Sequence, residues 1–133
     1  MKTLLMVKPD TVAEGRVGDI IALVERNRFQ IKRLTMTRFS KERAERFYDM
    51  HRARPFFGEL VAYITSGPVV AVEVEGTEAV ARIRELIGAT NPADARPGTV
   101  RAMYGKSLQN NAVHGSDSPE SAEKELEIAF AGP

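Results

Sequence analysis

No cysteine occurs among the 133 residues, which excludes disulfides, thiol catalysis and thiolate metal sites. Histidine is scarce: only His51 and His114 are present, too far apart in sequence to suggest a zinc site. Long apolar runs are missing too. The N-terminal run Leu4-Leu5-Met6-Val7 is too short for a signal-peptide core, and nothing else approaches membrane-spanning length. Neither sign of charge dominates, with 19 basic and 18 acidic residues, so there is no general pull toward nucleic acid or anionic lipid. Any anion site must be local. The cytoplasm is the expected compartment.

What is present is the mixture of a soluble globular protein, 43% hydrophobic and 28% charged. The length suits one ordinary domain, residues 1–133, with a core of its own. Thr3 to Val7 reads as a buried central strand stopped by Pro9. Val17, Ile20, Ile21 and Val24 then repeat at helical spacing, and Phe29 to Arg38 alternates as a half-buried strand. Ser40 is an N-cap for a short helix carrying Ala44, Phe47 and Tyr48, and a second helical run spans Phe56, Phe57, Leu60, Val61 and Ile64. Val69 to Val74 is a strand, and Thr77 caps the helix of Val80, Ile83 and Ile87, which Gly88 stops. Residues 88–111 form a long loop with a short helix near Thr99 to Met103. A last strand, Ala112 to His114, leads to a helix with Ser118 as N-cap, Pro119 at its first position, and Ala122, Leu126, Ala129 and Phe130 inward. This order predicts an α+β fold, a ferredoxin-like split βαβ sandwich whose four-stranded antiparallel sheet is covered by helices.

The chemistry concentrates in Asn111-Ala112-Val113-His114-Gly115-Ser116-Asp117-Ser118. A neutral imidazole can act as a nucleophile if one ring nitrogen is held and the other is free. Gly115 would leave room beside the ring for a ligand. The alternative is a histidine satisfied by neighbouring turn hydroxyls, and the octapeptide alone leaves both open. Gly105-Lys106-Ser107 imitates the end of a phosphate-binding P-loop, but six residues separate Gly98 from Gly105 where that motif needs four. Arg84 lies near the apolar stripe of its helix, where it either snorkels or awaits an anion. With Arg101 and Thr90 it could form a phosphate clamp around one histidine. Lys8 ends the first strand, a rigid position. One of Phe56 and Phe57 is expected in the core and the other exposed for a base to stack on. His51 reads as structural or surface.

Six blocks, Lys8-Pro9-Asp10, Arg54-Pro55-Phe56-Phe57, Ser66-Gly67-Pro68-Val69-Val70, Gly88-Ala89-Thr90-Asn91-Pro92-Ala93, Pro97-Gly98-Thr99-Val100-Arg101 and the His114 octapeptide, together resemble the nucleoside diphosphate kinase family in order and spacing. The resemblance implies ping-pong transfer of a γ-phosphoryl group, mainly from ATP, to a nucleoside diphosphate through phosphohistidine at His114. It implies that Lys8 and Asn111 hold the sugar 3′-hydroxyl and phosphate region, with Tyr48 near the transferring group. Arg84, Thr90 and Arg101 would bind phosphates. Phe56 would stack on the base beside Leu60 and Leu108, and Glu125 would hold the far ring nitrogen of His114 with Ser116 nearby. Mg²⁺ would arrive with the nucleotide phosphates. Stacking without edge-reading hydrogen bonds implies little base selectivity.

Two positions depart from the family pattern: Thr11 stands where glycine is usual, and Ala102-Met103 replaces a stretch that usually carries an aspartate. A homo-oligomer is implied, with tetramer and hexamer both open. Nucleic acid is not expected as the primary partner, because no strand carries the paired exposed aromatics of an RNA-binding sheet. A catalytically dead relative would lack one of His114, Lys8, Arg84, Arg101 or Asn111, and all five are present.

Overall fold

Two apolar runs lack polar alternation because both sides of their strands are covered. In the computed structural model, which describes residues 1–131, β1 (Lys2–Val7) and β3 (Val69–Glu75) form the centre of a four-stranded sheet. β2 (Gln30–Thr37) and β4 (Val113–Gly115) are its edges, in the order β2-β3-β1-β4, and every neighbouring pair is antiparallel. β3 therefore separates β1 from β2, and β1 separates β3 from β4. This is the expected split arrangement. Gly132 and Pro133, the last two positions of the expected domain, lie outside the described residues.

Among the described residues, six α-helices lie between the strands and a seventh follows β4: α1 (Pro9–Ala13), α2 (Val17–Arg26), α3 (Lys41–Phe47), α4 (Phe57–Ile64), α5 (Ala79–Ile87), α6 (Val100–Tyr104) and, last, α7 (Pro119–Ala129). Successive strand residues point to opposite faces. Leu5, Val7, Val70, Val72 and Val74 thus enter one core with Ile20, Val24, Ile83 and Ile87 from α2 and α5. Leu4, Met6, Val69 and Ala71 enter the other with Phe47, Ile64, Leu126 and Ala129 from α3, α4 and α7. Each fully buried aliphatic side chain contributes roughly 1.5–3 kcal/mol of transfer free energy, which makes both faces necessary to a domain of this size. Among the described residues no helix is long and apolar enough to cross a membrane.

Several local expectations change. Pro9 starts α1 instead of stopping the chain, because proline is tolerated in a first helical turn where no intrahelical donor is needed. Thr77 does not cap α5. Glu78 takes that position in the left-handed region (φ 49°), while the Thr77 carbonyl accepts from Arg82 Nη1. The last strand is displaced by one residue, since Ala112 has φ +77° and cannot continue it. On β2, Leu34 and Met36 are 52% and 61% exposed, not half-buried, because helices cover the edge strand only near its start, where Ile31 packs. The long loop also holds a 3₁₀ turn at Pro92–Asp94, and Thr99 caps α6 through its side chain.

Gly88 ends α5 with φ +96°, and a Cβ there would lie 2.6 Å from Thr99 Oγ1. Gly88→Ala combines left-handed strain with overlap, and should destabilise the protein by roughly 2–4 kcal/mol. Urea denaturation measures this; an unchanged midpoint would show that the α5–α6 junction relaxes freely.

Candidate active site

β4 brings His114 to the sheet opposite Met6, on the face covered by α3, α4 and α7. There the ring meets Phe47 edge-on, with centroids 5.0 Å apart. His114 Nε2 lies 2.7 Å from Glu125 Oε1 of α7, and Ser116 Oγ donates to the same oxygen at 2.7 Å. An ionised carboxylate can only accept, so Nε2 carries the proton and Nδ1 keeps its lone pair. Glu125 and Ser116 are both buried, which keeps the carboxylate on these donors.

The turn before His114 is held by main chain. Val113 N–H donates to the Asn111 carbonyl across Ala112, a three-residue γ-turn with positive φ, while Lys8 N–H donates to the Ala112 carbonyl. Lys8 Nζ donates to Asn111 Oδ1 at 2.7 Å, and Asn111 Nδ2 donates to the Thr90 carbonyl at 3.1 Å. Gly115 lines the cleft and also serves packing: a Cβ would lie 2.6 Å from Ile87 Cδ1, so its missing side chain makes room for the core.

Arg101 is buried and donates from Nη1 to the Gly88 carbonyl and from Nη2 to the Val113 carbonyl, both at 3.0 Å. Burial, helped by the Arg84 charge, brings its guanidinium down to about 10, still fully protonated at neutral pH. Arg84 is exposed and reaches the Gly115 carbonyl at 3.4 Å. Burial, then the Arg101 charge, brings the Lys8 ammonium down to about 8 against a smaller upward pull from Asp10. Tyr48 is buried, and desolvation with the Glu125 charge raises its pKa, so it stays a phenol.

These side chains surround a cleft of about 420 Å³ lined by Lys8, Tyr48, Phe56, Leu60, Arg84, Thr90, Arg101, Leu108, Asn111, His114 and Glu125. Ser116 stands behind it, bonded to Glu125. The cleft is cationic at one end and apolar at the other. Phe56 is 37% exposed while Phe57 packs against the core. A larger depression of about 750 Å³, beside Arg33 and Phe130, already pairs Arg33 with Glu73 and offers no comparable cluster of cations.

Sequence reasoning missed Phe47, Met50, Gln109 and Asp117 as lining residues, and placed His51 outside the site. The signal for His51 was its spacing of three from Tyr48: a 3₁₀ turn at Asp49–His51 carries the imidazole to 5.5 Å from the Phe56 ring. Thr11 is buried and its hydroxyl has no hydrogen-bond partner among the described residues, while Met103 is exposed on α6.

The sequence model of the family "Nucleoside diphosphate kinase" matches residues 1–132. The chain belongs to the nucleoside diphosphate kinase family. The nucleoside diphosphate kinase of Chlamydia abortus is 50% identical over 130 residues, spanning 98% of this chain and 92% of that one. That of Archaeoglobus fulgidus is also 50% identical, over 98% and 86%. The crystal structure of the Aquifex aeolicus nucleoside diphosphate kinase superposes with a TM-score of 0.95 at 48% identity, covering 98% of this chain and 95% of that one. A Halobacterium salinarum nucleoside diphosphate kinase, solved in complex with CDP, gives 0.95 at 40% identity, over 99% and 88%. Membership in the nucleoside diphosphate kinase family makes this chain a nucleotide-binding phosphotransferase.

Lys8 also marks the fold's response to pH. Its folded value near 8 lies below that of an unfolded lysine, so the unfolded chain binds more protons between about 8 and about 10.5. Stability therefore rises with pH across that window, while below pH 8 the cost of burying the charge is fully present. Lys8→Met should remove the rise. The difference in unfolding free energy between wild type and variant should shift by on the order of 2 kcal/mol from pH 7 to pH 10. Parallel pH profiles in urea unfolding would show an ordinary lysine instead.

Proposed function

We propose that residues 1–133 form one nucleoside diphosphate kinase domain working by ping-pong transfer through His114. The observation that carries this reading is the 2.7 Å contact of His114 Nε2 with Glu125, which leaves Nδ1 as the nucleophile. Nδ1 attacks the γ-phosphorus of a nucleoside triphosphate, the bond to the bridging β-phosphate oxygen breaks, and the diphosphate departs. A β-phosphate oxygen of a second nucleoside diphosphate then attacks the phosphohistidine, and Nδ1 leaves. Glu125 offsets the positive charge that the imidazole gains, and Ser116 keeps that carboxylate in line. No proton must leave Nδ1, so positioning and charge supply most of the catalysis.

Arg84, Arg101 and Thr90 bind the phosphates, and Lys8 and Asn111 hold the sugar 3′-hydroxyl and the nearby phosphate. Tyr48 stands by the transferring group as a hydrogen-bond donor. Phe56 stacks on the base, with Leu60 and Leu108 beside it; such a slot accepts any base, since each offers a π face. CDP bound to the Halobacterium salinarum relative supports a pyrimidine nucleotide in this slot. Mg²⁺ enters as part of the substrate, on phosphate and water oxygens. The reading places the enzyme in the cytoplasm as a homo-oligomer, a tetramer or a hexamer. Leu34 and Met36, exposed on edge strand β2, support a self-association surface there.

Incubation with γ-labelled ATP and no acceptor should yield an acid-labile, base-stable phosphoprotein. His114→Ala should abolish it, and ADP, GDP, CDP or UDP should each discharge it. Failure of the wild type to label would sink the mechanism, and discharge by ADP alone would overturn base indifference. Replacing Leu34 and Met36 together by glutamate should lower the particle mass in sedimentation. An unchanged mass would remove β2 from the subunit contact.

A further inference from the structure

The Gly105-Lys106-Ser107 run that imitates a phosphate loop sends its lysine elsewhere: Lys106 Nζ pairs with Glu14 Oε1, next to the end of α1, at 2.8 Å. The segment then closes on itself. Lys106 and Ser107 N–H groups donate to the Asn110 carbonyl, and Asn110 N–H donates to Ser107 Oγ. From this turn Gln109 Nε2 donates to Glu59 Oε2 on α4 at 3.1 Å. Glu59 immediately precedes Leu60 and lies three residues after Phe56. Gln109 immediately follows Leu108.

The apolar end of the cleft thus has two walls of different origin. Phe56 and Leu60 come from the start of α4, and Leu108 and Gln109 from the turn. Leu108 is 58% exposed, so core packing does little to hold it. Dispersion contacts weaken steeply as a gap opens, and a radial gap of about 0.5–1 Å forfeits a quarter to a half of the attraction. A loop that must be ordered on binding also lowers affinity. A contact joining the two walls therefore acts on the base before any phosphate chemistry.

We infer that Gln109 and Glu59 are positioning residues for the nucleobase: their hydrogen bond fastens the turn to α4 and fixes Leu108 relative to Phe56. The inference deepens the nucleotide-transfer reading and rests on it. The latch controls nucleoside affinity and leaves phosphoryl transfer at saturation alone. Because the contact is charge-assisted but exposed, its expected effect is modest, roughly two- to fivefold in KM.

The test compares wild type with Gln109→Ala, Glu59→Ala, their combination and Glu59→Gln, which keeps an amide oxygen as acceptor. KM for GDP, with ATP as donor, should rise by that factor in each alanine variant. The double variant should be no worse than either single one, and Glu59→Gln should stay near wild type. The single-turnover rate of His114 labelling at saturating ATP should not move. Ribose 5-triphosphate, which has no base, should label all variants with one efficiency. Additive losses, an unchanged KM for GDP, or an equal loss with ribose 5-triphosphate would overturn the latch. A wild type that never labels with ATP would instead overturn the underlying reading.

Discussion

One buried carboxylate decides the chemistry of the cleft. Glu125 can accept but not donate, and the two nearby donors, His114 Nε2 and Ser116 Oγ, converge on its Oε1. This fixes the tautomer of the imidazole and its orientation together. The other residues of the cleft matter in relation to the nitrogen left over: cations at one end, an apolar slot at the other. The chain belongs to a family of phosphotransferases, and the arrangement suits a reaction in which a group is handed over between similar partners.

The sheet makes that arrangement possible. β4 contributes three residues, and alternation sends Val113 and Gly115 into one core and His114 toward the other. α7 packs on the same face, so a helix residue among Ala122, Leu126 and Ala129 meets the His114 imidazole from above. Glu125 sits where a core residue would be expected. Its burial is tolerated because both hydrogen bonds are made.

Much of this was legible in the sequence, for identifiable reasons. β1 and β3 announce themselves through the apolar stretches Leu4–Val7 and Val69–Val72 because they are covered on both faces. Lys8, Phe56, Thr90, Arg101, Asn111 and His114 could be named because they lie in short blocks whose spacing is itself informative, and Tyr48, Leu60, Arg84, Leu108 and Glu125 followed from the family resemblance those blocks carry. Less legible was whatever depends on main-chain conformation or on contacts distant in sequence. No pattern tells that Glu78 and Ala112 take positive φ, that Pro9 opens a helix, or that Gly115 yields to Ile87. The exposure of Leu34 and Met36 was hidden for a related reason: alternation specifies a face, and only the assembled sheet shows where its covering helices end.

The Asn111 side chain reaches the carbonyl of Thr90, the Lys8 main-chain N–H the carbonyl of Ala112, and the Arg101 guanidinium the carbonyls of Gly88 and Val113. Those acceptors belong to the backbone, which no codon alters. Side chains at 112 and 113 can therefore drift, within the limits of packing, without deleting the carbonyls that hold the frame of the site. Mutational robustness is thus built into the frame of the cleft, and selection is left to act on the few donors that face inward.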